Sequence, residues 1–205
     1  MNNRLLILSA QVFSVLFSPF YLPVAAFVAL LWFSYLKFLP IEYKAVLLLM
    51  VYAFTVVLPR LSIYIYRKVN GWTRHELGQR ERRVVPYVLS IISYGALLRL
   101  MQQLHMPAYG RSIIWGALIL QIICAVINPF LKISTHAAAM GGVIGALIGF
   151  SQHYAFDPTG WLCLCVLLSG CVCSSRLILR QHTLPDVGWG TLVGLICGFV
   201  CVFIN

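Results

Sequence analysis

The chain has 205 residues, 61% of them hydrophobic and only 10% charged, with a mean hydropathy of +0.90. Soluble domains are about half apolar and about a quarter charged, so the composition excludes that class and predicts an all-α, polytopic transmembrane helical bundle. The net charge of +10, from fifteen Lys and Arg against five Asp and Glu, has two readings: cationic anchors at anionic lipid surfaces, or a site for a polyanion.

In chain order, the first apolar run is Leu5 to Phe17, broken by Pro19 and Pro23. With Arg4 in front it has the look of a leader, but the chain continues apolar without a cleavage site, which predicts a short interfacial or half-inserted helix over residues 1–20. A spanning helix needs about 20 mostly apolar residues, and segments of that kind follow at 21–38, 41–66, 87–104, 112–131, 136–154, 158–175 and 185–204, for six or seven spans in a single domain over 1–205. The joints carry turn punctuation: Leu39-Pro40, Asn70-Gly71, Met106-Pro107, Asp157-Pro158-Thr159-Gly160 and Leu184-Pro185. Trp72, Tyr87, Tyr109, Trp161 and Trp189 stand near span ends, as in interfacial aromatic belts. Gly141, Gly145 and Gly149 recur every four residues, as do Gly190, Gly194 and Gly198. This spacing lines up small residues on one helix face and permits close backbone approach, either within the bundle or across a homodimer.

The seven cysteines all lie in apolar runs, with no Cys-x-x-Cys pair or Cys/His grouping. They read as small packing residues; no metal site and no cofactor is expected.

The polar residues fall in three joints. One, from Arg67 to Pro86, holds Arg67, Lys68, Arg74, His75, Glu76, Arg80, Glu81, Arg82 and Arg83; the second holds Lys132, Ser134, Thr135 and His136; the third holds Ser174, Ser175, Arg176, Arg180, Gln181, His182 and Asp186. Two spans separate each joint from the next, and an even number of crossings returns the chain to the same membrane face. Arginines there offer bidentate geometry to phosphate oxygens. Ser134, Thr135 and His136 open a helix, where free backbone N–H groups and the dipole favour an anion. Asp186, four residues after His182, can fix its tautomer and leave the other ring nitrogen to attack, while His136 can protonate a leaving oxygen. That inventory suffices for phosphoryl transfer through a phosphohistidine. His75, His105 and His153 read as interfacial polar residues.

The run Ser175-Arg176, five residues, His182, three residues, Asp186 resembles the third motif of the phosphatidic acid phosphatase type 2 superfamily, which includes vanadium haloperoxidases and glucose-6-phosphatase. Ile133-Ser134-Thr135-His136 resembles its second motif, P-S-G-H, with the Pro and Gly replaced. The first motif, K-x6-R-P, is matched poorly by Arg80-Glu81-Arg82-Arg83-Val84-Val85-Pro86, since no lysine stands seven residues before Arg82 or Arg83. The motifs occupy 74–190. The resemblance implies His182 as nucleophile, Asp186 as its orienting partner and His136 as the acid and then the base. It implies Arg176, Ser134 and either Arg83 or Arg82 as holders of the phosphoryl oxygens, with Ser175 and Thr135 beside them. Arg80 or Lys132 would replace the missing lysine, and Lys132 is preferred because it adjoins the second motif.

The resemblance further implies a membrane lipid with a phosphate headgroup as substrate, and no nucleic acid as partner. The candidates are lipid A, undecaprenyl diphosphate, phosphatidate and phosphatidylglycerophosphate, with lipid A favoured. The implied location is a bacterial inner membrane with the site on the periplasmic face. The count of cations points the other way: the active face carries Arg67, Lys68, Arg74, Arg80, Arg82, Arg83, Lys132, Arg176 and Arg180, against Lys37, Lys44, Arg99 and Arg111 on the opposite joints. Substrate binding would select such residues on either side. The alternatives are a lipid-to-lipid phosphotransferase using the same phosphohistidine, and an inactive bundle that binds or transports anionic lipids. Lys132→Ala is expected to lower phosphatase activity clearly, and near-wild-type release of phosphate by that variant would remove Lys132 from the site.

Overall fold

The computed structural model describes residues 3–72, 84–154 and 157–204, and among them every regular element is a helix. They are α1 (Asn3–Leu16), α2 (Leu22–Phe33), α3 (Ile41–Tyr52), α4 (Leu58–Val69), α5 (Val84–Gln103), α6 (Ala108–Ile127), α7 (Thr135–Tyr154), α8 (Thr159–Ile178) and α9 (Leu184–Ile204), with a 3₁₀ turn at Tyr35–Phe38. An all-α fold suits a lipid environment, because a helix satisfies its own backbone groups where water cannot. Proline sets many of the starts: Pro40, Pro107 and Pro158 stand at the N-caps of α3, α6 and α8, and Pro185 lies in the first turn of α9.

Among the described residues, five segments are long and apolar enough to cross a membrane: Ile41–Val69, Val84–Gln103, Ala108–Ile127, Thr159–Ile178 and Leu184–Ile204. The expected span at 21–38 divides instead into the 12-residue α2 and a 3₁₀ turn, because Ser34 caps the turn by accepting from the Leu36 N–H. The 20-residue α7 has the length of the five but not their apolarity; its histidines, glutamine and glycines lower its hydropathy. α1 has 14 residues, about 21 Å at 1.5 Å per residue, which is shorter than a hydrocarbon core.

The chain divides into two compact units, one formed by 1–22 with 131–205 and the other by 23–130. In the second unit, Phe27, Leu31, Val51, Tyr94, Leu97, Met101 and Ile114 form a buried core. The long segment Ile41–Val69 contains a π-helical turn at Ala53–Val57. Pro59 explains it: proline lacks an N–H and crowds the carbonyl four residues back, here Thr55, so the helix widens before resuming. Lys44 is buried, with its ammonium donating to the Lys37 carbonyl at 2.7 Å and lying over the Trp32 ring.

The first unit is organised by α7 and α9, which run parallel. Cβ atoms built on Gly141, Gly145, Gly194 and Gly198 would collide with the carbonyl oxygens of Thr191, Leu195, Ala138 and Gly142. One built on Gly190 would lie 2.7 Å from the Ser134 carbonyl oxygen. The two glycine stripes therefore face each other inside one chain, and the packing they make is intramolecular. α8 connects them in the chain and packs on α7 and α1, with much of its surface apolar and outward, including Leu164, Val166 and Leu167. On a soluble protein such a patch would drive association; here it suits lipid.

Gly194→Ala is expected to destabilise the protein by about 1–3 kcal/mol through overpacking, seen as a lower melting midpoint in detergent. Gly170→Ala, where nothing lies within 4 Å of the added carbon, is expected to leave the midpoint unchanged or slightly raised.

Candidate functional site

Two helix starts and one helix end meet at one end of the first unit. α7 begins at Thr135 with no acidic residue in its first turn. Ser134 caps it: the hydroxyl accepts from the Ala137 N–H at 3.4 Å, and the carbonyl accepts from the Ala138 N–H at 2.9 Å. Ser134 has 0% exposure, and its own N–H donates to the Asp186 carbonyl at 3.1 Å. That bond ties the start of α7 directly to the first turn of α9.

α9 starts with one half of a capping box. The Asp186 carboxylate accepts from the Thr183 N–H at 2.9 Å, and the first helical backbone bond runs from the Val187 N–H to the Thr183 carbonyl at 3.2 Å. In Thr183-Leu184-Pro185-Asp186 the Asp takes the place of the usual Glu that reaches back to the N-cap N–H. The same carboxylate oxygen lies 3.6 Å from His182 Nδ1. This exceeds hydrogen-bond length. Asp186 thus serves both the helix start and the histidine before it.

α8 ends just after Arg176. Leu179, Arg180 and Gln181 donate to the carbonyls of Ser175, Leu177 and Arg176, and Arg180 adopts φ 51°. This left-handed stop usually takes glycine. It turns the chain sharply, so that His182 lies close beyond Arg176 and both side chains are buried, at 7% and 9% exposure. Arg176 and His182 both lie within electrostatic range of His136 in the first turn of α7.

One participant comes from outside the motifs. Ser14, near the end of α1, receives a hydrogen bond at 2.7 Å on its hydroxyl from Arg176 Nη1. Its carbonyl oxygen lies 3.1 Å from His136 Nε2. Nothing in the residue pattern around Ser14 marks it, since Ser9 and Gln11 are also polar residues of the same mostly apolar run.

The structure therefore brings His182, Asp186, Arg176, His136 and Ser134 together, with Thr135 half-buried beside them. Lys132 is exposed, within electrostatic range of Asp186. Ser175 is buried, and its hydroxyl donates to the Cys171 carbonyl of its own helix at 2.7 Å, so its proton is committed away from any ligand. Arg80, Arg82 and Arg83 lie outside the described residues. Among the described residues no three His, Cys, Asp or Glu side chains are grouped to hold a metal ion. No family model matches the chain, and neither does a curated protein or a solved structure.

Proposed function

We propose that the protein is a membrane phosphatase that removes phosphate from a lipid headgroup through a phosphohistidine on His182. The observation that carries this reading is the gathering of His182, Asp186, Arg176 and His136, from three separate helix ends, at one end of the first unit. Two histidines, an acid and a buried arginine are a costly group at a membrane edge unless they are used.

The chemistry follows from the placement. Asp186 faces Nδ1 of His182, which leaves Nε2 to attack phosphorus. Arg176 and the N-terminal end of α7 stabilise the phosphoryl oxygens. His136 enters the step protonated on both ring nitrogens beside the bound phosphate, and as the bond from phosphorus to the lipid oxygen breaks it gives that oxygen its Nδ1 proton. His136 then takes a proton from water, water attacks the phosphorus, and inorganic phosphate leaves with His182 regenerated. The substrate class is a lipid phosphate monoester or diphosphate, and lipid A remains the favoured member.

The test is phosphate release from a panel of lipid phosphates in detergent with EDTA, comparing the wild type with His182→Ala and Asp186→Asn. Release is expected to vanish with His182→Ala. With Asp186→Asn it should fall by about 10²-fold or more, the scale of losing the carboxylate that orients a catalytic histidine. Equal release by His182→Ala would overturn the assignment, and phosphate moving to an added acceptor lipid faster than to water would identify a transferase.

The site end is further proposed to face the periplasm. α9 runs away from the site toward Ile204 over a spanning length, so a fusion after Asn205 would then lie in the cytoplasm. Green fluorescent protein fused there should fluoresce and alkaline phosphatase should be inactive; the opposite pattern would place the site in the cytoplasm.

A further inference from the structure

We infer that Ser14 is a positioning residue of the site, its carbonyl setting the tautomer of His136 and its hydroxyl setting the aim of Arg176. The inference rests on the phosphohistidine reading for its catalytic consequence, but the tautomer it assigns can be measured without activity.

The sequence of α1 is apolar on most of its surface, with Leu5, Leu8, Val12, Val15 and Leu16 exposed. Ser14 is buried, and a buried polar group is tolerated when it is bonded. Both of its side-facing polar atoms are: the hydroxyl accepts from Arg176 and the carbonyl meets His136. The carbonyl is available because it lies in the last turn, where helical acceptors lack intrahelical donors. Phe17 N–H bonds Phe13 and Ser18 N–H bonds Val15, so these two donors pass over the Ser14 oxygen. The end of a helix is also its negative pole, which suits a contact with a guanidinium and a ring N–H.

A carbonyl oxygen can only accept. His136 Nε2 must therefore carry the hydrogen in this contact, and in the neutral ring the lone pair falls on Nδ1. Nδ1 of His136 is buried and has no hydrogen-bond partner among the described residues. It is the atom left to exchange a proton with a substrate oxygen, while the opposite nitrogen, Nε2, is the reactive one in His182. The two histidines thus work through different ring atoms, each fixed by a partner on its other side: Asp186 for His182, and the end of α1 for His136. The same serine links this acid–base residue to the arginine that holds phosphate, which makes α1 a part of the catalytic unit.

Two measurements on the full-length protein in detergent test this. The first is the ¹⁵N spectrum of ring-labelled histidine, with the His136 signals assigned by their loss in His136→Gln. The neutral ring is expected as the Nε2–H tautomer, and an Nδ1–H ring would overturn the inference whether or not the protein hydrolyses lipids. The second compares phosphate release by Ser14→Ala and Ser14→Thr. Ser14→Ala is expected to lower kcat about tenfold, the scale of one charge-assisted hydrogen bond, with Ser14→Thr recovering most of it because the hydroxyl is kept. Wild-type or higher activity in Ser14→Ala would show an inhibitory or idle contact and overturn the positioning role, as would an equal loss in both variants. If the wild type releases no phosphate from any lipid, the phosphatase reading fails, and the tautomer still decides the contact between Ser14 and His136.

Discussion

The parallel contact of α7 with α9 is the constraint from which the geometry of the first unit follows. Backbone rather than side chains meets there: glycine α-carbons of each helix face carbonyl oxygens of the other. In hydrocarbon there is no hydrophobic drive to pull two apolar helices together, so such close van der Waals contact is what holds them. Because the meeting surfaces are backbone, the axial register has almost no freedom. A slide of one residue would bring Leu195 or Val193 toward the place of Gly194, and Ala146 or Ile144 toward that of Gly145. The register in turn sets the Ser134 N–H against the Asp186 carbonyl, and with it His136 against the turn that carries His182.

Helix termini supply most of the polar chemistry, because in a membrane the termini are where backbone groups remain unpaired. The starts of α7 and α9 bring donors and positive dipole ends, and the end of α1 brings an acceptor and a negative one. Arg176, near the end of α8, is buried between them. Its charge is placed where a phosphate could share it and where Ser14 now holds it. Capping and the proposed catalysis draw on the same atoms, since one Asp186 oxygen both caps α9 and faces His182. An aspartate already tied to a backbone N–H keeps its orientation when the histidine turns positive, which is what an orienting carboxylate must do.

Much of this was legible in the sequence. Glycines at four-residue spacing predict close helix contact, and Ser175-Arg176 with His182 and Asp186 at their spacing mark a polar turn between spans. Turn residues such as Asn70-Gly71 and Met106-Pro107 fall at helix boundaries, as expected; Gly71 takes φ 66° there. What could not be read is what composition does not encode. Whether two glycine stripes meet within a chain or between chains depends on register, which only the structure shows. The segment 21–38 has enough apolar residues for a span, yet a local competition, Ser34 capping a 3₁₀ turn, ends α2 after Phe33. Ser175 sits in the motif but spends its proton on its own helix, a common fate of helical serines.

Ser14 marks the sharper limit. Its contribution to His136 comes through a main-chain carbonyl, and every residue has one, so no residue type at that position could have announced the role. The contact arises because α1 stops two residues later and is held against α8, where Arg176 takes the hydroxyl. Short apolar helices at the edge of a bundle are easily read as membrane anchors, since apolarity is their only visible property. Here the decisive property is where the helix ends: a terminus delivers an unpaired acceptor and a partial negative charge to whatever lies beneath it, and beneath this one lie the histidine and the arginine on which phosphoryl transfer would turn.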